Sequence, residues 1–143
     1  MVAEQERYGH TFSLVAIDID DFKLFNDTHG HLVGDGILRE FAHTVQDRIR
    51  RTDVFARTGG EEFLILMPHT SIKSALQFAE ALRESVAEKA FSVCGLDDLK
   101  LTISAGVVGC EQVSEGAQEL LAVCDRMLYK AKRNGRNRVC CHQ

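Results

Sequence analysis

The sequence contains little proline, no tryptophan and no long hydrophobic run. Its 143 residues include one proline and 11 glycines, and 45% of them are hydrophobic, which excludes a collagen-like, proline-rich or low-complexity chain. No apolar run approaches the roughly 20 residues that a membrane-spanning helix needs, and no signal peptide is recognisable. We therefore expect one cytoplasmic domain that makes no membrane contact of its own, even if its parent protein is membrane-anchored.

Cysteine is present, but in no pattern that suits a disulfide framework or a zinc site. The chain has five cysteines and no C-x-x-C pair. An odd number without metal-ligand spacing is typical of reduced thiols. We expect structural rather than chemical roles for all five, which are Cys94, Cys110, Cys124, Cys140 and Cys141.

Positive charge is scarce over most of the chain. The formal net charge is −4, which discourages binding to a nucleic acid polymer. Residues 130–143, however, contain five basic side chains and no acidic one. Such a tract either binds an anion locally or forms a solvated tail, and on charge alone the tail is the simpler interpretation.

Short apolar runs and helical periodicities alternate along the chain. Residues 12–19 are apolar and β-branched, which predicts a buried strand, and a short helix at 22–29 follows and ends at Gly30. Apolar residues at three- and four-residue steps predict helices near 33–49, 72–86 and 120–131. We also predict a strand pair at 91–95 and 100–108, a helix end at Gly135 and a last strand near 138–140. The alternation predicts an α/β or α+β fold, with a central mixed, mainly antiparallel sheet flanked by helices.

Two strand-like runs, at 53–58 and 63–67, flank the sequence Gly59-Gly60-Glu61-Glu62. Glycine readily adopts the positive φ angles that tight hairpin turns require. We therefore predict a β-hairpin with an acidic tip.

Two carboxylates stand at alternate positions near the end of the first strand. Asp18 and Asp20 are two residues apart, a spacing that points both side chains to one face of a strand. They repel each other unless a cation lies between them, and Mg²⁺ prefers carboxylate oxygens and recruits phosphates. The alternative for Asp20 or Asp21 is that it caps the following helix. Asp18, nearer the strand interior, is harder to explain by a structural role.

Glu61 and Glu62 supply a second acidic pair at the tip of the predicted hairpin. If that tip lies beside the first strand, Asp18 and Glu61 together make a divalent-metal site. Such a site organises in-line attack at phosphorus, one metal activating the nucleophile and another holding the leaving phosphates. An acidic, glycine-rich turn is a weak indication by itself, but Asp18 and the intervening Lys23 make the pattern more specific.

Three separated motifs resemble the GGDEF domain of the diguanylate cyclase family. They are IDIDDFKLFNDTHGHLVGD at 17–35, GGEEF at 59–63 and CDRMLYKAKRNGRNRV at 124–139. They stand in the family's order and spacing and cover nearly the whole chain, so we expect a single GGDEF domain over 1–143 with a core of about 12–140. We expect this domain to lack the family segment resembling DxLTGLxNRR and any sensor domain, and Thr58 stands where an aromatic residue is common.

The resemblance implies a palm-like fold, as in nucleotidyl cyclases and polymerases, and a reaction between two GTP molecules. Each protomer of a homodimer would hold one GTP, and each 3′-hydroxyl would attack the other's α-phosphate, giving cyclic di-GMP and two pyrophosphates. Two Mg²⁺ or Mn²⁺ ions per active site are implied. Their ligands would be Asp18, the main-chain carbonyl of Ile19, and Glu61. The alternative is a regulatory module that binds GTP or cyclic di-GMP without turnover.

The resemblance also assigns the remaining site residues. The catalytic positions would be Glu61, Glu62 and Lys23, with one of the two glutamates helping to deprotonate the 3′-hydroxyl. Asn26 and Asp35 resemble the guanine-reading pair, and such a pair suits the donors of guanine rather than adenine. The rest of the substrate-binding set would be Lys132 and Arg136 for the triphosphate, together with Phe22, His31, Gly59 and Gly60.

Three smaller features complete the sequence-based expectations. His29 and His31 invite a metal interpretation, but magnesium prefers oxygen, so His31 is expected to shape the guanine pocket. Phe22 is expected in the core with Phe25 and Phe41, while its main-chain N–H faces phosphate. Arg50 and Asp53 match the family's RxxD inhibitory site, where cyclic di-GMP would bind away from the active site.

Overall fold

The computed structural model describes residues 11–113 and 116–142, and these form one layered α/β structure. Its helices are α1 (Phe22–His29), α2 (His31–Gln46), α3 (Ile72–Glu88) and α4 (Ala117–Arg133). A 3₁₀ turn covers Cys110–Gln112. The strands are β1 (Phe12–Ile19), β2 (Val54–Arg57), β3 (Glu62–Pro68), β4 (Phe91–Val93), β5 (Leu96–Leu99), β6 (Ile103–Gly109) and β7 (Val139–Cys141).

The main sheet has five strands in the order β2-β3-β1-β6-β7. All of its pairings are antiparallel except β6 with β7, which is parallel. The predicted mixed, mainly antiparallel sheet is therefore confirmed. β1 is its central strand and all eight of its residues are buried, because helices cover both faces and leave no position for a polar alternation.

The core lies on both faces of this sheet. Val15 and Ile17 of β1 belong to the cluster formed with α2 and α3, which includes Phe41 and Leu82. Leu14 and Ala16 point the other way, into a smaller cluster formed with α4. The apolar stripes predicted from the three- and four-residue steps are the buried faces of these helices.

The predicted strand pair at 91–95 and 100–108 is wrong in its pairing. β4 pairs with β5 in a separate two-stranded sheet, whereas β6 pairs with β1 and β7. The sequence pattern did not indicate β5 because three of its four residues, Leu96 to Asp98, are exposed. The helix end at Gly30 and the hairpin of β2 and β3 are confirmed.

The five cysteines are all free. Burial raises the pKa of the Cys124 thiol to about 12, and it also raises the pKa of Cys110. These thiols stay protonated at neutral pH and act as small apolar groups. Among the described residues, no helix is long and apolar enough to cross a membrane.

Candidate active site

The tip of the β2–β3 hairpin lies beside the end of β1. Asp18 stands opposite Glu62 in the β1–β3 register, and the Ile19 N–H donates to the Glu61 carbonyl at 3.2 Å. Antiparallel pairing of β1 with β3 therefore brings the acidic turn to the carboxylate at the strand end, as the metal-site hypothesis requires.

The glycines of the turn do not have the positive φ angles that we predicted. Neither Gly59 nor Gly60 has a positive φ angle. The turn is closed by the N–H groups of Thr58 and Gly59, which both donate to the Glu62 carbonyl. A Cβ on Gly60 would meet nothing within 4 Å. The fold itself therefore does not require glycine at position 60.

Arg57 holds the turn from the strand side, and the sequence analysis missed it. Its guanidinium donates to the Gly59 carbonyl at 3.0 Å and to the Gly60 carbonyl at 2.7 Å. Two carbonyls bound by one planar guanidinium fix the turn's backbone. An arginine two residues before the Gly-Gly pair was the available sequence signal.

Asp18 is buried beside a lysine from the last helix. Its Oδ2 accepts from Lys132 Nζ at 2.5 Å, and only 4% of the Asp18 side chain is exposed. The pKa of Asp18 is raised from 3.8 to about 6: burial is the largest cause, the Lys132 ammonium opposes it, and the charges of Glu61 and Glu62 add to the rise. A buried carboxylate among other carboxylates favours a cation.

Asp18, Glu61 and Lys132 border one cavity of about 400 Å³, whose lining does not include Glu62. Its acidic lining includes Asp18 and Glu61, and its basic lining consists of Lys23, Lys132 and Arg136. Phe22 lies at the first position of α1, so the helix N-terminus also borders the cavity. The motifs at 17–35, 59–63 and 124–139 are thus brought together around one space.

The donor set suits a hard divalent cation. Asp18 and Glu61 offer carboxylate oxygens and Ile19 a main-chain carbonyl, which are the ligand types that Mg²⁺ prefers. Among the residues that the structure describes, no three His, Cys, Asp or Glu side chains form a metal-binding group. A bound Mg²⁺ would therefore complete its octahedron with oxygens from water and phosphate.

Asn26 holds an unpaired acceptor where α1 packs on α2. Within the described chain its Oδ1 is the one buried side-chain N or O atom without a hydrogen-bond partner. A Cβ on Gly34 would lie 1.7 Å from this oxygen, so the absence of a side chain at Gly34 makes room for the amide. Asp35, the residue after Gly34, is exposed, and so is His31, the first residue of α2.

The guanine-reading candidates do not line the cavity that holds the carboxylates. Asp35 instead borders a second depression of about 530 Å³, together with Arg57 and Phe63. Asp35 and the residues assigned to the phosphates thus border different depressions.

Comparison with known proteins decides the family. The family model described as "Diguanylate cyclase, GGDEF domain" matches residues 1–138. The chain belongs to the GGDEF family.

Curated relatives agree with this assignment. Diguanylate cyclase A of Treponema denticola is 43% identical over 129 residues, which are 90% of this GGDEF chain and 34% of that protein. Response regulator PleD of Caulobacter vibrioides is 42% identical over 132 residues, which are 92% of this chain and 29% of that protein. The GGDEF chain thus spans about a third of the length of these relatives.

Solved structures share the fold. The active GGEEF domain of a diguanylate cyclase from Vibrio cholerae has a TM-score of 0.87 and 36% identity, covering 99% of this chain and 88% of that one. The GGDEF domain of DgcB from Caulobacter crescentus, in complex with c-di-GMP, has a TM-score of 0.89 and 32% identity, with coverages of 97% and 82%. The predicted palm-like fold is confirmed.

Asp20 borders the cavity, but it does not have the helix-cap role that we considered for it. It does not cap α1, whose N-cap residue is Asp21 and has no side-chain cap. Asp20 is instead buried, and its carboxylate accepts from Thr102, Ser104 and the Asn137 N–H. The sequence analysis missed this network.

The RxxD pair of the GGDEF chain lies apart from the catalytic cavity. Arg50 Nη2 contacts Asp53 Oδ1 at 3.3 Å and the Pro68 carbonyl at 2.8 Å, and the Arg50 N–H donates to Asp53 Oδ2 at 2.8 Å. The pair borders a depression of about 310 Å³ with Arg48 and His69. The Asp53 side chain is 1% exposed, so it holds the arginine in place, while Arg50 is half exposed.

Proposed function

We propose that this GGDEF domain is a diguanylate cyclase that joins two GTP molecules into cyclic di-GMP with release of two pyrophosphates. The observation that carries the proposal is the single cavity in which Asp18 and Glu61 face Lys23, Lys132 and Arg136. Carboxylates for metal and cations for phosphate are the combination that phosphoryl-group chemistry needs. The reaction consumes GTP and so belongs with the cytoplasmic nucleotide pool.

The triphosphate binds the basic side of the cavity. Lys23, Lys132 and Arg136 offer positive charge, and the first N–H groups of α1 point to the same space. Lys132 leaves Asp18 for a phosphate when nucleotide enters, because the two anions compete for its ammonium group. The open space at Gly60 allows the substrate to approach the turn's backbone closely.

Asp18, the Ile19 carbonyl and Glu61 would hold the Mg²⁺ or Mn²⁺ ions, two per active site. Bound there, the ions would supply positive charge to the phosphates and lower the pKa of the attacking hydroxyl. Glu61 or Glu62 accepts the proton of the 3′-hydroxyl, and Lys132 and Arg136 stabilise the charge on the departing pyrophosphate.

The base is read between α1 and α2. Asn26 Oδ1 is unpaired but buried, so the amide turns outward before it and Asp35 accept from the N1–H and N2–H₂ donors of guanine. Adenine lacks this donor pair and would leave the acceptors unsatisfied, so GTP is preferred over ATP. His31 borders the base from the start of α2.

Each protomer supplies one GTP, so catalysis needs two copies of the domain. In each copy the 3′-oxygen bonds to the α-phosphorus of the partner's nucleotide while the bond from that phosphorus to the β-phosphate oxygen breaks. Two such displacements close the ring and release two pyrophosphates.

Product inhibition occurs at the second site. Arg50 is held by Asp53 and the Pro68 carbonyl through Nη2, which leaves its other N–H groups for a phosphate or guanine edge of cyclic di-GMP. Arg48 adds a second guanidinium to that depression.

The test is incubation with GTP and Mg²⁺ followed by ion-exchange separation of the products. We expect cyclic di-GMP and pyrophosphate in a ratio of one to two, and no conversion of ATP. Glu61→Gln should lower kcat by about 100-fold or more, whereas Asp47→Asn, which removes an exposed carboxylate at the end of α2, should leave it unchanged. Absence of cyclic di-GMP, or full activity of Glu61→Gln, would overturn the proposal.

A further inference from the structure

The loop that follows α4 has a strained backbone. Three consecutive residues have positive φ angles: Gly135 at 122°, Arg136 at 62° and Asn137 at 46°. Glycine tolerates such angles, but arginine and asparagine adopt them at a cost in free energy and only where surrounding contacts hold them.

Asp20 makes one of the contacts that hold this loop, beside the bond from the Arg136 N–H to the Ala131 carbonyl and the bond from the Ala105 N–H of β6 to the Arg138 carbonyl, both 3.0 Å long. Its side chain is buried, with the residue 8% exposed. Oδ2 accepts from the Asn137 N–H at 2.9 Å and from the Thr102 hydroxyl at 2.7 Å, and Oδ1 accepts from the Ser104 hydroxyl at 2.6 Å. The carboxylate is thus held by Thr102, just before β6, and by Ser104 of β6, and it also accepts a hydrogen bond from the strained backbone at Asn137.

A second contact fixes the loop from the opposite side. Arg83 of α3 donates from Nη1 to Asn137 Oδ1 at 3.1 Å. Asn137 is therefore held at both its backbone and its side chain, and the residue just before it is Arg136.

We propose that Asp20 is a positioning residue for Arg136: by binding the Asn137 N–H it keeps the loop in the left-handed conformation that directs the Arg136 side chain into the catalytic cavity. Arg136 borders that cavity, where its Nε lies 3.6 Å from Asp21 Oδ1. The inference rests on the proposed function, in which Arg136 binds the triphosphate. Asp20 also borders this cavity, but its oxygens are occupied by Thr102, Ser104 and the Asn137 N–H, so we assign it no contact to nucleotide or metal.

The chemistry of the network predicts a graded response to substitution. In Asp20→Asn the amide oxygen still accepts from Asn137 and Thr102, and the Ser104 hydroxyl rotates to accept from the amide nitrogen. In Asp20→Ala all three bonds are lost, so the loop keeps its bonds to the Ala131 carbonyl and to Arg83 but loses its anchor at the Asn137 N–H. The asparagine variant should therefore retain part of the function that the alanine variant loses.

The experiment compares the affinities for 3′-deoxy-GTP, which cannot condense, and for GMP, which lacks the phosphates assigned to Arg136. We expect Asp20→Ala to weaken 3′-deoxy-GTP binding about tenfold or more, Asp20→Asn to weaken it less, and GMP binding to stay within about twofold. Arg136→Ala should give the same loss as Asp20→Ala, and the double variant no further loss.

A matched pair of serine variants keeps the test decisive if Asp20→Ala does not fold. Ser104→Ala and Ser13→Ala each remove one fully buried hydroxyl from neighbouring strands, but Ser13 donates to the Thr70 carbonyl instead of Asp20. Only Ser104→Ala should weaken 3′-deoxy-GTP binding and accelerate hydrogen exchange at the Asn137 amide.

Three results would overturn the inference: equal effects of the two serine variants, equal losses for GMP and 3′-deoxy-GTP, or losses that multiply in the double variant. If the wild-type protein binds neither nucleotide, the proposed function fails instead. Hydrogen exchange at Asn137 then still decides whether Asp20 holds the loop.

Discussion

At the scale of single residues, the ionised carboxylate of Asp18 lowers the free energy of unfolding of the domain. Its carboxylate is buried beside Glu61 and Glu62, and Lys132 relieves only part of the cost, so its pKa is raised to about 6. The folded state thus binds the Asp18 proton more tightly than the unfolded state does. The protonated Asp18 therefore stabilises the fold below about pH 4, and this stabilisation is lost as the pH rises from 4 to 6 and the carboxyl group ionises.

Asp18→Asn should therefore stabilise the metal-free protein while abolishing turnover. We expect a gain of about 2 kcal/mol in the free energy of unfolding at pH 7, shrinking to nothing near pH 4. Urea unfolding in EDTA at both pH values measures it. A variant that is less stable than wild type at pH 7, or a gain that does not depend on pH, would contradict this account of the site.

The two buried glycines of α2 contact different groups: Gly34 lies against Asn26, which is assigned to base recognition, and Gly36 lies against the core residue Val93. A Cβ on Gly34 would meet the end of the Asn26 side chain at 1.7 Å, while a Cβ on Gly36 would meet Val93 Cγ1 at 2.1 Å. Asn26 can rotate away, whereas Val93 is packed in the core.

Gly34→Ala should raise KM for GTP about tenfold, because it displaces the amide that accepts from guanine, with a small change in Tm. Gly36→Ala should lower Tm and leave KM unchanged. Steady-state kinetics and thermal unfolding of both variants check this, and the opposite assignment of effects would remove Asn26 from base recognition.

At the scale of elements, the β2–β3 turn is shaped by Arg57 rather than by glycine conformation. The guanidinium binds the Gly59 and Gly60 carbonyls from an exposed position, where loss of a surface group costs little stability. Arg57→Ala should lower kcat about tenfold with Tm nearly unchanged and faster hydrogen exchange at 58–61.

Arg51→Ala is the control for that experiment, because Arg51 is also an exposed arginine near β2. Its kcat should equal that of the wild-type protein under initial-rate conditions. Equal effects of the two substitutions would mean that charge, and not the turn's geometry, is responsible.

Strands and helices with a clear apolar run or an apolar stripe could be predicted from the sequence, and elements without such a pattern could not. β1 was predicted at its observed bounds because burial on both faces makes it an unbroken apolar run. The exposed β5 gave no such signal. The contacts of Asp20 could not be predicted either, because its partners lie 82, 84 and 117 residues away and only the assembled sheet brings them together.

At the scale of the whole molecule, the distribution of charge matters more than its sum. The net charge of −4 argued against an anionic partner, yet Lys23, Lys132 and Arg136 line one cavity. Part of the acidic excess, Asp18 and Glu61, lines the same space and suits a divalent cation. Because Asp20, Asp21 and Asp27 also line this space, its carboxylates outnumber its cations, and a triphosphate needs bound divalent cations together with the basic side chains.

The second site predicts feedback by the product. Arg50→Ala should remove inhibition by cyclic di-GMP while leaving the initial rate without product unchanged, because Arg50 lies outside the catalytic cavity. Initial rates with and without added cyclic di-GMP measure it. Inhibition of the same strength in Arg50→Ala would exclude this site.

The central claim is that GTP condensation takes place between two copies of the domain, each of which carries half of the reacting groups. The most direct measurement is the initial rate of cyclic di-GMP formation at saturating GTP over a range of protein concentrations, with sedimentation of the same samples. The rate should rise with the square of protein concentration where the protein is monomeric, and become linear where it is dimeric. Turnover per protomer that stays constant in monomeric samples, or a dimeric sample that makes no cyclic di-GMP, would contradict the account.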